Sequence, residues 1–212
     1  MFYRIENIPD ESNMQAVVAE LLPLVPFVRR EKALRYKHLH GQYCCLRAWQ
    51  LLHELIIEHH LLPVSFPLAD LTYTEDEYGK PVLSASIFER SSILSMDETV
   101  FFSISHTKNA LAVAVSVQPV GIDIESMVSV RRAEDAAFLQ RTMSPAELQR
   151  IASAEDSSMC FTELWTRKEA VFKAMGTGID LSTLPTVLEM PHPYSLRSFC
   201  TNDYVCSIAW LG

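Results

Sequence analysis

The chain has 212 residues, 49% of them hydrophobic and 21% charged, which is enough apolar material for one large core or two small ones. Its formal net charge of −8 argues against a general nucleic-acid binder, which needs a basic surface to replace phosphate counterions, but leaves room for a local basic pocket. MFYRIENIPD has neither the basic flank nor the apolar stretch of a signal peptide, and no apolar run approaches the ~20 residues that span a bilayer. Five cysteines, at 44, 45, 160, 200 and 206, lack CxxC spacing and read as reduced, partly buried thiols rather than disulfides or zinc ligands. The expectation is a cytoplasmic protein without a membrane or nucleic-acid partner.

In chain order, FYRIE alternates like a strand. Arg29 to about His60 reads as helix, because Leu34, Leu46, Trp49, Leu52, Leu55 and Ile56 gather on one side. Gly41 interrupts that stretch, so two helices are the alternative. Residues 63–90 are broken by Pro63, Pro67, Gly79 and Pro81, with short strand-like pieces such as LTYTE. TVFFSISH and ALAVAVSV are β-rich, and Gln118 to Gly121 reads as the turn of a hairpin whose second strand carries Asp123 and Glu125. Helices are expected at about 131–141, 145–153 and 160–175, with strands around YSLRSF and DYVCSIAW. Ser144, Pro145 and Glu147 form a capping box with proline at the first helical position. This order predicts an α+β fold of two halves, each roughly 100 residues long.

Three segments carry chemistry: FSISHT at 102–107, GIDIE at 121–125 and LWTRKEAVFKAMGTG at 164–178. On a strand, residues i and i+2 share a face about 7 Å apart, so Asp123 and Glu125 point one way while Ile122 and Ile124 enter a core. Paired carboxylates with room for water suit a hard cation such as magnesium. The competing reading is a half-exposed strand with two solvated acids. Glu169 and Lys173 are spaced i, i+4 in the favourable orientation of an ordinary surface ion pair, and Gly176 ends the helix. His106, a strand-end histidine beside Ser105, gains interest because a cation–phosphate site needs both acids for the ion and donors for phosphate oxygens.

Taken together, GIDIE and, some 40 residues later, W-T-x-K-E-A-x-x-K with a trailing G-x-G resemble the paired signature of the 4'-phosphopantetheinyl transferase family. YGKPVL at 78–83 resembles the family's glycine-lysine-proline segment, FSISHT its F-x-I-S-H segment, and RREKALRY at 29–36 its basic amino-terminal stretch. The length is similar to that of the larger, monomeric branch. The resemblance implies two similar α/β subdomains, 1–104 and 105–212, forming a pseudo-twofold dimer with the site in the cleft between them.

The activity so implied is transfer of 4'-phosphopantetheine from coenzyme A to a serine of an apo acyl, peptidyl or polyketide carrier protein, with magnesium required and 3',5'-ADP released. By the same resemblance Asp123, Glu125 and Glu169 hold the metal, with Glu169 also the candidate base and Lys173 near the diphosphate. Lys168, a basic neighbour in that motif, is expected among the residues that bind the coenzyme A nucleotide. Ser105 and His106 match a pair that contacts coenzyme A, the histidine towards its 3'-phosphate. Lys80 and Pro81 match residues beside the adenine nucleotide, and Arg29 and Lys32 the grip on the 3'-phosphate. After His106 this chain reads TKN where the family often has small residues, and a solvated Lys108 is the favoured reading. Arg131 and Arg132 are local contacts for an acidic carrier or solvated helix-start residues. A non-catalytic coenzyme A or carrier binder of the same fold is the main alternative. Another magnesium enzyme acting on a nucleotide diphosphate is the third.

Overall fold

The computed structural model describes residues 1–88, 99–127 and 135–212. The first half contains strand β1 (Phe2–Asn7), helices α1 (Glu11–Leu21), α2 (Phe27–Leu34) and α3 (Leu39–Glu58), short strands β2 (Tyr73–Glu75) and β3 (Pro81–Leu83), helix α4 (Ala85–Phe88), and strands β4 (Phe101–His106) and β5 (Ala110–Ser116). The second half has β6 (Val120–Ser126), helices α5 (Ala136–Thr142), α6 (Pro145–Ser153) and α7 (Ser157–Met175), and strands β7 (Tyr194–Cys200) and β8 (Tyr204–Leu211). Arg131 and Arg132, and the expected start of a helix at 131, lie outside the described residues. Among the described residues, no helix is long and apolar enough to cross a membrane.

The mixed α and β composition follows the sequence expectation, but the hairpin after β5 does not form. β5 is the central strand of an antiparallel sheet ordered β1-β5-β4, so both of its edges are taken, and β6 pairs instead with β8 in a second sheet ordered β6-β8-β7. A strand buried on both faces with two partners has no free backbone to offer a third. The hairpin that does form joins β4 to β5 around Thr107–Asn109, with His106 opposite Leu111. The expected boundary between residues 104 and 105 falls inside β4, whereas strand pairing changes sheet between β5 and β6.

Both sheets use the same order, with the first strand of each half on one edge and its last strand in the centre. They stack face to face. Ala110, Ala112 and Ala114 of β5 meet Ile122 and Ile124 of β6 and Cys206 and Ile208 of β8 in one apolar cluster. The outer faces take the long helices: Leu111, Val113 and Val115 pack with Leu52, Leu55 and Ile56 of α3, and Ala209 packs with the apolar side of α7. Trp49 anchors the first core at 0% exposure, edge-on to Phe102 and donating its indole N–H to the Leu71 carbonyl at 3.0 Å.

The break between α2 and α3 falls at 35–38, so Gly41 belongs to the first turn of α3 rather than dividing two helices. A Cβ there would lie 2.6 Å from the Tyr36 ring, which explains the residue. α1 is an element that the sequence pattern did not announce; its start is set by Asp10, whose carboxylate accepts from the Asn13 N–H. At α6 the expected capping box is present, with Ser144 and Glu147 bonded reciprocally and Pro145 at the first position. In the second half the strand–helix contact is unusually close. A Cβ on Gly121 would lie 2.0 Å from the Ala170 carbonyl oxygen and 2.5 Å from the Ala174 nitrogen, so only glycine lets α7 lie this near β6.

Candidate functional site

That close approach brings α7 side chains to the acids of β6. The Lys173 ammonium donates to Asp123 Oδ1 at 2.7 Å and to Ser105 Oγ at 3.1 Å, and the Ser105 hydroxyl donates to the same carboxylate oxygen at 2.8 Å. Strand β4 contributes from the first half and β6 and α7 from the second, so this cluster lies on the seam. The seam is also tied by backbone, since the Ile122 N–H donates to Ser103 Oγ at 3.0 Å.

Asp123 is 4% exposed, and its second oxygen, Oδ2, is buried without a hydrogen-bond partner among the described residues. A buried carboxylate with one oxygen on an ammonium and the other bare fits a small hard cation. Glu125 shares its strand face by alternation, and Glu169 sits one helical turn before Lys173. These are the residues that would hold such an ion.

Beside the cluster opens a cavity of about 400 Å³. Its first-half wall includes Arg29 and Lys32 of α2, Cys44 and Cys45 of α3, Lys80 and Pro81 at the start of β3, and His106; its second-half wall includes Glu169, Phe172 and Lys173 of α7. Four cations and one carboxylate among these linings make a basic hollow in a chain of net charge −8. The cations are held in place. Arg29 is buried, with two N–H groups on the Cys45 carbonyl and its guanidinium 4.7 Å from the Trp49 ring centroid. The Lys32 ammonium lies 5.8 Å from the Tyr73 ring. Lys80 is presented by a turn in which Asp76 accepts from the Tyr78 and Lys80 N–H groups and Gly79 takes φ 77°. Its ammonium donates to the Lys173 carbonyl at 2.7 Å, and burial lowers its pKa. His106 keeps an exposed edge, yet the protein packed around it partly desolvates the ring and holds it below the ordinary histidine range, and His40, Lys173 and Arg29 add to the effect.

Lys168 does not reach this cavity, which corrects the expectation that it binds the nucleotide. It is 0% exposed, and its ammonium donates to the carbonyls of Thr142, Leu184 and Pro185 at 3.0, 2.9 and 2.7 Å while pairing with Glu147 at 2.6 Å. It ties α5, α6 and α7 to the 184–185 segment. Glu147 therefore serves both as cap and as counter-ion. Lys108 is exposed, as expected of a solvated residue, and its carbonyl accepts from His40. The sequence reading missed Cys44, Cys45, Phe102 and Phe172 as cavity linings, because an apolar face of a helix or strand does not announce which of its members border a hollow.

The model of the 4'-phosphopantetheinyl transferase superfamily matches residues 119–209, a span that contains Asp123, Glu125, Glu169 and Lys173. The chain is also 30% identical over 173 residues to the 4'-phosphopantetheinyl transferase psf-1 of Bacillus pumilus. The chain belongs to the 4'-phosphopantetheinyl transferase superfamily. That alignment covers 81% of this chain and 66% of the relative. The transferase gsp of Aneurinibacillus migulanus is 33% identical over 132 residues, 61% of this chain and 48% of its own length. This superfamily member thus spans about two thirds of one relative and about half of the other. The crystal structure of holo-[acyl-carrier-protein] synthase from Neisseria meningitidis superposes at a TM-score of 0.37 and 22% identity, covering 44% of this chain and 97% of that one.

Proposed function

We propose that the protein, as a cytoplasmic monomer, transfers the 4'-phosphopantetheine group of coenzyme A to a serine hydroxyl of an apo carrier protein in a magnesium-dependent reaction that releases 3',5'-ADP. The observation that carries this reading is the seam: a buried, half-satisfied Asp123 bonded to Lys173, beside a cavity lined by four cations. The reading treats the two halves, with their shared strand order, as a pseudo-twofold dimer within one chain.

Arg29, Lys32 and His106 supply donors on the first-half side of the cavity for the 3'-phosphate, and Lys80 and Pro81 border the adenine nucleotide. Asp123, Glu125 and Glu169 would hold magnesium, which supplies neutralising charge to the diphosphate. Lys173, whose ammonium already reaches both Asp123 and Ser105, orients the diphosphate and offsets charge that develops on the departing oxygen. The carrier serine oxygen attacks the phosphorus that bears pantetheine. A P–O bond forms there, the bond to the ADP oxygen breaks, and the hydroxyl proton passes to Glu169.

The test is the intact mass of an apo carrier protein after incubation with the protein, coenzyme A and magnesium. A gain of one phosphopantetheine, lost with EDTA and with Asp123→Ala, is expected. No gain on fatty-acid, polyketide or peptidyl carriers despite coenzyme A binding would overturn transfer in favour of a non-catalytic binder. Equal affinity for dephospho-coenzyme A would overturn the 3'-phosphate assignment.

A further inference from the structure

Among the described residues, one group of His, Cys, Asp or Glu side chains brings three ligand atoms within 4.8 Å of one another, and it is not the acid set: it is His40, Cys44 and His106. His40 and Cys44 lie one turn apart on α3, while His106 ends β4. The chemistry of the trio differs from that of the seam. One thiol and two imidazoles are the donors of a borderline-soft ion, and magnesium prefers oxygen.

Three observations make the group more than a chance meeting. The Cys44 sulfur lies 3.8 Å from His40 Nδ1. Metal–nitrogen and metal–sulfur bonds of about 2.05 and 2.3 Å at a tetrahedral angle require a separation of about 3.6 Å. His40 Nε2 lies 3.2 Å from the Lys108 carbonyl oxygen. A ring N–H donated to a backbone carbonyl leaves Nδ1 as the bare lone pair, and this is the outer bond that metal-binding histidines use; the sulfur lies beside the ring, 3.8 Å from Nδ1 and 3.9 Å from Nε2. Finally, Cys44 and His106 both border the cavity, so a fourth coordination position would open onto it.

The geometry points to a zinc-class divalent ion site formed by His40, Cys44 and His106, whose occupation withdraws His106 from the nucleotide and closes part of the cavity. The second half of that statement rests on the coenzyme A reading of the cavity; the first does not. As the metal–sulfur bond forms, the Cys44 S–H bond breaks and its proton passes to solvent. Burial pushes that thiol up to about 12, so the proton is present until an ion displaces it. His106 needs no such exchange, since its depressed pKa leaves the ring neutral near pH 7.

The experiment is titration of the full chain with cobalt(II), in excess magnesium and a thiol-free reductant, followed by absorbance. One equivalent should develop a near-ultraviolet thiolate-to-cobalt band with visible bands of tetrahedral coordination, which an all-oxygen site cannot produce. Cys44→Ser should abolish the band, and Cys45→Ser should keep it. Because Cys44 is buried, His40→Ala and His106→Gln provide independent arms that retain the thiol; each should weaken cobalt binding about tenfold or more. Absence of the band, or a band indifferent to both histidine variants, overturns the site. Zinc at saturation should weaken coenzyme A binding about tenfold in the unaltered protein and not in His40→Ala. A cobalt band with unchanged coenzyme A affinity keeps the site and overturns its link to the nucleotide.

Discussion

The two halves place charged residues at corresponding points and resolve them differently. In the first half, β1 turns Arg4 and Glu6 towards α3, and the charges pair off: Arg4 with Glu54 at 2.8 Å, and Arg47 with Glu6 at 2.6 Å and Glu54 at 2.8 Å. In the second half, β6 turns Asp123 and Glu125 towards α7, and Lys173 satisfies only one oxygen of Asp123. The same architecture yields a closed ion network on one side and an acid still short of a partner on the other. A site arises where the pairing is left incomplete, because an unsatisfied buried oxygen retains the capacity to bind something else.

Lys168→Met leaves Glu147 buried without its ammonium and should cost about 3–5 kcal/mol in urea unfolding. A loss below about 1 kcal/mol would mean that the buried pair contributes little. Asp123→Asn should lower turnover on the order of 10²–10³-fold while the unfolding midpoint moves little, read by carrier-mass kinetics. Glu54→Gln, its counterpart in the paired network, should cost no more than about 1 kcal/mol of stability and leave turnover within about twofold. If Glu54→Gln matched Asp123→Asn in lost turnover, the contrast between closed and open pairing would fail.

The smallest effect concerns His106. Its folded pKa is depressed below an unfolded value near 6.5, so folding loses stability as pH falls from about 6.5 through the lower folded value. A bound phosphate reverses the shift. Coenzyme A binding near pH 6 should therefore take up a fraction of a proton, seen as a buffer-dependent calorimetric enthalpy. His106→Gln or dephospho-coenzyme A should remove that uptake.

The sequence made much of this legible, and its failures have physical causes. Asp123, Glu125, Glu169 and Lys173 lie in contiguous motifs on one strand and one helix, so local periodicity brings each pair to one face. Joining the strand to the helix required Gly121, whose role as the point of closest approach is a property of two elements rather than one. Lys168 carried a readable signal that the motif obscured: Phe161, Leu164, Trp165, Val171 and Phe172 form the buried stripe of α7, and position 168 falls in its middle. The hairpin between β5 and β6 failed because adjacency in sequence favours pairing only when an edge is free. His40 and Cys44 were a visible i, i+4 pair, but their third member arrives from a strand more than 60 residues away.

Lys80 and Lys173 belong to different halves, yet the ammonium of one holds the carbonyl of the other, and a single chain supplies both walls. A cleft shared by two separate molecules follows mass action and falls apart on dilution, whereas this one has its halves permanently at high effective concentration. Its turnover per molecule should therefore be the same at nanomolar as at micromolar protein, and a second copy carrying an inactive cleft should neither rescue nor poison it.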